Sequence, residues 1–256
     1  MLRSLAAAFS MYSKIPMPGG EWKDDEIRYV MAFFPLVGIV IGAVSYPCCT
    51  LLASLGFSPF FISAILVLLP LIITGGIHLD GFMDTQDALS SYRSKEEKLE
   101  IMSDPHIGAF AVIHAIILTV IYLASAYEVI SVGIKENLLL WCLGFYFARI
   151  VTAISTVTLK CAKKEGTLFT FSNVAHKKTT LTLLMIQLIA ASFGIAFFSY
   201  AKAAAVFITT LLLFALYRSI TSRNFGGVTG DTSGWFLCTL ECAYAILLAA
   251  WDHIIL

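Results

Sequence analysis

Residues 29–77 read YVMAFFPLVGIVIGAVSYPCCTLLASLGFSPFFISAILVLLPLIITGGI, and no Asp, Glu, Lys, Arg or His interrupts them. That is too long for one membrane span of about 20 residues. The run breaks at Gly56-Phe57-Ser58-Pro59, where turn residues cluster, so it predicts two spans at roughly 30–55 and 59–77. Composition agrees. The 256 residues are 59% hydrophobic and 13% charged, with a mean hydropathy of +0.85, whereas soluble domains carry about 25% charged residues. Further apolar runs at about 108–127, 137–158, 180–200, 203–217 and 234–251 bring the expected spans to seven. The expected fold class is therefore an all-α polytopic membrane protein forming one membrane-embedded domain over residues 1–256. Pro35 and Pro47 predict a kink or shifted boundary in the first span. Lys14, Pro16 and Pro18 interrupt any signal-peptide pattern.

Lys and Arg placement sets the orientation. Arg3, Lys14, Lys23 and Arg28, then Arg93, Lys95 and Lys98, then Lys160, Lys163, Lys164, Lys177 and Lys178, then Arg218 and Arg223, all fall on one side. Only Lys135 and Lys202 fall on the other. The positive-inside rule then places the N-terminus in the cytoplasm. A net charge of zero gives no support for a nucleic-acid partner. Six cysteines without a CxxC pair, mostly in apolar runs, suggest small buried hydrophobes and no zinc site or disulfide framework.

The chemistry concentrates where the apolar run ends. In TGGIHLDGFMDTQD (74–87), Asp80, Asp84 and Asp87 stand at i, i+4 and i+7, one face of a helix. Like charges on one face repel unless a cation sits among them, and a hard ion such as Mg²⁺ takes carboxylate and phosphate oxygens. A solvated acidic cap is the plain alternative. Asp104, ahead of Pro105 and Gly108, either caps the third span or adds a fourth carboxylate. His78 is either an interfacial hydrogen-bonded residue or a base beside the cluster. Arg149, inside the fourth span, needs a partner there; it serves an anionic group or pairs structurally with an acid such as Glu241. Lys163 and Lys164 face anionic headgroups or an anionic substrate. Gly226-Gly227-Val228-Thr229-Gly230-Asp231 precedes the last span. It is either a helix-capping turn or a backbone anion nest, at Gly227, Thr229 and Gly230, with Asp231 as a further ligand. Glu241, an intramembrane acid, is a candidate by its position. The acidic, Lys-rich and Gly-rich segments all map to the expected cytoplasmic face.

These motifs resemble the cobalamin synthase family, the adenosylcobinamide-GDP ribazoletransferases. SKIPMP followed by FFPLVGIVIGAV is similar to the family's opening. GGIHLDGFMDTQDAL with KLEIMSDPHIGAF is similar to its acidic signature, and GGVTGDTSG with a downstream Glu to its C-terminal motif. The chain departs from the pattern in the Lys-rich KCAKKEGTLFTF. The resemblance implies a late corrin-pathway transferase of the cell membrane, its site facing the cytoplasm. It would join adenosylcobinamide-GDP to α-ribazole or its 5′-phosphate, release GMP and require Mg²⁺. Asp80, Asp84 and Asp87 would hold the metal, with Asp231 and Asp104 completing the set. Arg149 and the loop lysines would bind phosphate, and His78 or a carboxylate would accept the hydroxyl proton. Besides the substrates and the lipid bilayer, a second copy of the chain or other enzymes of the pathway are the partners implied.

Two rival assignments compete. Membrane transferases of prenyl diphosphates or CDP-alcohols also use Asp-rich loops, but a clean DxxDG-x2-AR run is missing. A divalent-cation transporter could use the same acids, yet would carry more polar residues through its spans.

Overall fold

The computed structural model describes residues 1–18, 22–163 and 176–254. Two short helices, α1 (Leu2–Tyr12) and α2 (Asp24–Ile27), precede the long α3 (Val30–Ser54). Next come α4 (Pro59–Thr74), the acidic α5 (Ile77–Ser90) and the short α6 (Lys95–Ile101). Five long helices complete the chain: α7 (Ala109–Val132), α8 (Ile134–Thr158), α9 (Lys177–Phe198), α10 (Tyr200–Phe225) and α11 (Gly230–Ile254). The only extended pairing among the described residues is a parallel bridge between Cys161 and Val228.

Six of these helices are long and apolar enough to cross a membrane, and seven crossings result when α4 and α5 are counted as one bent unit. The protein is a multi-pass membrane protein. Burial separates the centre from the rim: 72% of the apolar window of α8 and 56% of that of α11 is buried, against 17% in α7, α9 and α10. On the rim, Ile113, Ile116, Ile117 and Val120 of α7 and Leu211 and Leu212 of α10 point outward. In water such stripes would drive association; against acyl chains they cost nothing. Close approach to the centre uses small residues, as helix contacts in lipid generally do. A Cβ on Gly42 of α3 would lie 3.0 Å from the Cys142 carbonyl oxygen of α8, and one on Gly38 would overlap the Phe145 carbonyl.

The turn between α4 and α5 decides where the acids go. Gly75 and Gly76 both adopt left-handed backbone (φ +67° and +78°), a region that is costly for residues with a Cβ. The two helices consequently meet at 93°. The Lys14 amide, just after α1, donates to the Ile73 carbonyl at 2.7 Å, satisfying a helix end that would otherwise be left open. α5 thus leaves the direction of the span and crosses the end of the bundle.

Several expected boundaries shift. The second span ends at Thr74 instead of 77, because the Gly pair stops it. The third runs on to Val132, leaving only Gly133 before α8. The sixth, expected over 203–217, extends across Tyr200–Phe225. Its polar N-terminal end is tolerated because the buried Lys202 is partnered, its Nζ 2.8 Å from Asn137 Oδ1 and 3.7 Å from Glu136 Oε1. The seventh starts at Gly230, so Asp231 sits in its first turn.

Candidate active site at the acidic helix

α5 and α11 touch through glycines. A Cβ on Gly81 would lie 2.8 Å from the Asp231 Cα, and one on Gly234 would lie 2.9 Å from the His78 carbonyl oxygen. This contact brings Asp80 and Asp231, far apart in sequence, onto one cavity of about 350 Å³. His78, Thr152 and Ser233 add polar groups to its lining, and Tyr12, Met31 and Phe34 an apolar wall. The rings of Tyr12 and His78 stack with centroids 6.0 Å apart, and Phe34 meets Tyr12 at 4.5 Å. A second hollow of about 540 Å³ adjoins it, sharing Met11, Ile77 and Asp80 and adding Lys14 and the Gly75–Gly76 turn.

Asp84 lies within electrostatic reach of the other carboxylates. Burial and the charges of Asp80, Asp231 and Asp87, in that order of effect, raise the Asp84 pKa to about 6. Asp87 lies against Gly108, where any Cβ would overlap its carboxylate. Asp104 is turned elsewhere. Its Oδ1 accepts from the His106 backbone N–H at 2.9 Å and lies 2.6 Å from His106 Nδ1, and these bonds hold its pKa below the usual range. From the segment before α7, Gly108 rather than Asp104 is what the structure sets against the acidic face.

His78 has a pKa well below that of a free imidazole, first through burial and then through the Arg149 charge. Its Nε2 is buried without a partner, as is Thr152 Oγ1. Arg149 is 1% exposed and donates to Glu241 Oε1 at 2.7 Å and to the Phe145 carbonyl at 3.0 Å. The structural pair weighed as an alternative is therefore formed, with the guanidinium also 6.0 Å from the centroid of Phe34. Glu241 lines a small separate cavity of about 60 Å³ with Tyr122 and Cys238.

The Gly-rich turn divides its tasks. Gly227 packs its backbone against the Lys160 carbonyl, leaving no room for a Cβ. Thr229 caps α11: its Oγ1 accepts from the Thr232 N–H at 3.1 Å, and its own N–H donates to Thr232 Oγ1 at 2.8 Å. Gly230 and Asp231 line the cavity of about 350 Å³. Lys163 Nζ donates to Ser103 Oγ at 2.8 Å, and its charge reaches Asp231. Lys164 lies outside the described residues. Tyr12, Phe34, Thr152 and Ser233 were not anticipated. The first three sit in apolar runs and Ser233 closes the Gly-rich motif, and only the fold shows that they meet.

Among the described residues, no three His, Cys, Asp or Glu side chains stand close enough together to enclose an ion by themselves. The donor set nevertheless suits a hard cation. It consists of carboxylates around Asp84, which burial first and their charges second keep protonated to higher pH, and Mg²⁺ usually takes one or two protein carboxylates, completing its shell with water and phosphate.

The family model described as cobalamin-5-phosphate synthase matches residues 4–249. The chain belongs to that family. It is 38% identical over 250 residues to an adenosylcobinamide-GDP ribazoletransferase of Lachnoclostridium phytofermentans, covering 97% of this chain and 94% of the relative. Relatives of the same name from Clostridium botulinum strain Alaska E43 and Geobacillus kaustophilus are 32% and 31% identical. The matches cover 94% and 89% of this chain, and 94% and 87% of those relatives. No solved structure matches the chain. The cobalamin-5-phosphate synthase match spans both the acidic helix and the Gly-rich turn, the two segments that the fold brings together.

Proposed function

We propose that this protein joins adenosylcobinamide-GDP to α-ribazole or its 5′-phosphate, releasing GMP, in a Mg²⁺-dependent reaction at the cytoplasmic side of the cell membrane. The observation that carries this is the shared cavity of Asp80 and Asp231 beside Asp84, in a chain whose relatives bear that activity in their names. The Lys and Arg bias of the loops supports the side.

The chemistry is displacement at phosphorus. A ribose hydroxyl oxygen forms the new O–P bond to the cobinamide-side phosphate. The P–O bond to GMP breaks, and GMP leaves with the electron pair. Such transfers depend on positioning and charge neutralisation. One or two of Asp80, Asp84, Asp87 and Asp231 would hold Mg²⁺, with water and phosphate completing its shell, and the ion when bound would offset phosphate charge. Lys14 and Lys163 bring cationic charge to the rim. His78 Nε2 or a neighbouring carboxylate would accept the proton of the attacking hydroxyl as the O–P bond forms. Arg149, held by Glu241, acts as a positioning residue through Phe34.

The test is a mass-spectrometric assay of purified protein in liposomes, with both substrates, with and without Mg²⁺, beside Asp84→Ala. A cobalamin-mass product and GMP, both lost without metal and in the variant, are expected. No product from folded, Mg²⁺-supplied protein would overturn the assignment.

A further inference from the structure

We infer that the cavity of about 350 Å³ between α1, α3, α5, α8 and α11 seats the acceptor nucleoside, with Thr152 as the hydroxyl that holds it. This rests on the reaction proposed above and assigns one of its two substrates to a place.

Size separates the two substrates first. Ligand pockets run from about 300 to 1,000 Å³, and this cavity lies at the small end. A benzimidazole ribonucleoside fits such a space. A corrinoid carrying a nucleoside diphosphate is several times larger and does not.

The lining matches the same ligand. Tyr12, Phe34 and Met31 give a flat apolar base something to pack against, and aromatic and thioether groups do this well. Thr152, Ser233 and His78 add hydrogen-bonding groups suited to a ribose. Helical threonines in this protein usually donate to the carbonyl four residues back: Thr156 does so to Thr152, Thr158 to Ile154, Thr210 to Val206 and Thr239 to Trp235. Thr152 does not. Its Oγ1 is buried and unpartnered on a residue that is 3% exposed. An unpaired buried hydroxyl is costly, and a ligand in the cavity would satisfy it. His78 Nε2, on the ring that stacks against Tyr12, is unpartnered too.

The neighbouring hollow complements this. It is larger, about 540 Å³, and carries Lys14 and the exposed backbone of the Gly75–Gly76 turn, suited to an anionic diphosphate. The two spaces share Asp80. A hydroxyl from one side and a phosphorus from the other would therefore meet at the carboxylates.

The experiment measures KM for each substrate separately, together with equilibrium dialysis of radiolabelled ribazole against the full chain in detergent, without corrinoid. Thr152→Val removes the hydroxyl at constant shape, Thr152→Leu pushes a larger side chain into the cavity, and Thr152→Ser restores the hydroxyl. The valine variant should raise the ribazole KM about fivefold. The leucine variant should abolish ribazole binding, and the serine variant should behave nearly as wild type. KM for adenosylcobinamide-GDP should stay within about twofold throughout. A shift confined to the corrinoid KM, a serine variant as impaired as valine, or wild-type protein that binds no ribazole would each overturn the inference. Thr152-dependent ribazole binding by protein that forms no cobalamin would sustain the inference and remove the reaction instead.

Discussion

Gly81 of α5 lies so close to Asp231 of α11 that a Cβ would stand 2.8 Å from the Asp231 Cα. Two acidic arms from distant parts of the chain are held together by a missing side chain. Gly81→Ala must therefore separate them by a few tenths of an ångström or more. Overpacking of this kind costs about 1–3 kcal/mol, and small misplacements of reacting groups cost far more in rate. The variant should keep its helical circular dichroism while kcat falls at least tenfold, roughly the scale of such positioning effects. A wild-type kcat would show that the crossing does not position the site.

Arg149 and Glu241 form a buried ion pair, 2.7 Å apart and 1% and 13% exposed. Removing one partner of such a pair typically costs about 3–5 kcal/mol, whereas replacing both with apolar groups can be nearly neutral. Arg149→Met and Glu241→Leu should each lower the melting temperature in detergent, and the double variant should recover much of the loss. Its KM values should then be near normal. A stable double variant that no longer binds adenosylcobinamide-GDP would instead make Arg149 a phosphate ligand.

The pH response follows from Asp84. Its carboxyl, raised to about 6 from an ordinary value of 3.8, stays protonated in the folded metal-free protein over a range where the unfolded chain has lost that proton. Between those values the folded state binds more protons, so metal-free stability should fall as pH rises from about 4 to 6. Mg²⁺ competes with the proton for the same oxygens. It should raise the melting temperature at pH 7.5, do little at pH 5, and lose this dependence in Asp84→Asn. Equal Mg²⁺ effects at both pH values would move the metal away from Asp84.

Lys163 sits at the rim, bonded to Ser103 and within reach of Asp231. Lys163→Ala should raise the KM for adenosylcobinamide-GDP a few-fold at low salt and less at high salt, because exposed charges are screened. A salt-independent change would mean lost packing instead of lost attraction.

The spans were legible because apolar length is a one-dimensional property, and the acidic face because i, i+4, i+7 spacing is local. Helix ends were less so. Arg218 and Arg223 ended the expected sixth span early, yet the helix carries both. Whether a lone charge pairs with another was open at Arg149, where only the meeting of α8 and α11 gives the partner. At Asp104 the sequence left a helix cap and a fourth carboxylate open; its carboxylate bonds to His106, a local turn that nearness in sequence to the acidic face does not reveal. Thr152 was silent for a related reason. Its significance is a hydrogen bond that it does not make.

Residues 1–14 contribute twice to this site, once as the Met11–Tyr12 wall of the cavity and once through the Lys14 amide that closes the end of α4. Protein intended for assay should therefore carry its affinity tag behind α11, since trimming or crowding the first helix would disturb the cavity wall and the acidic hinge together.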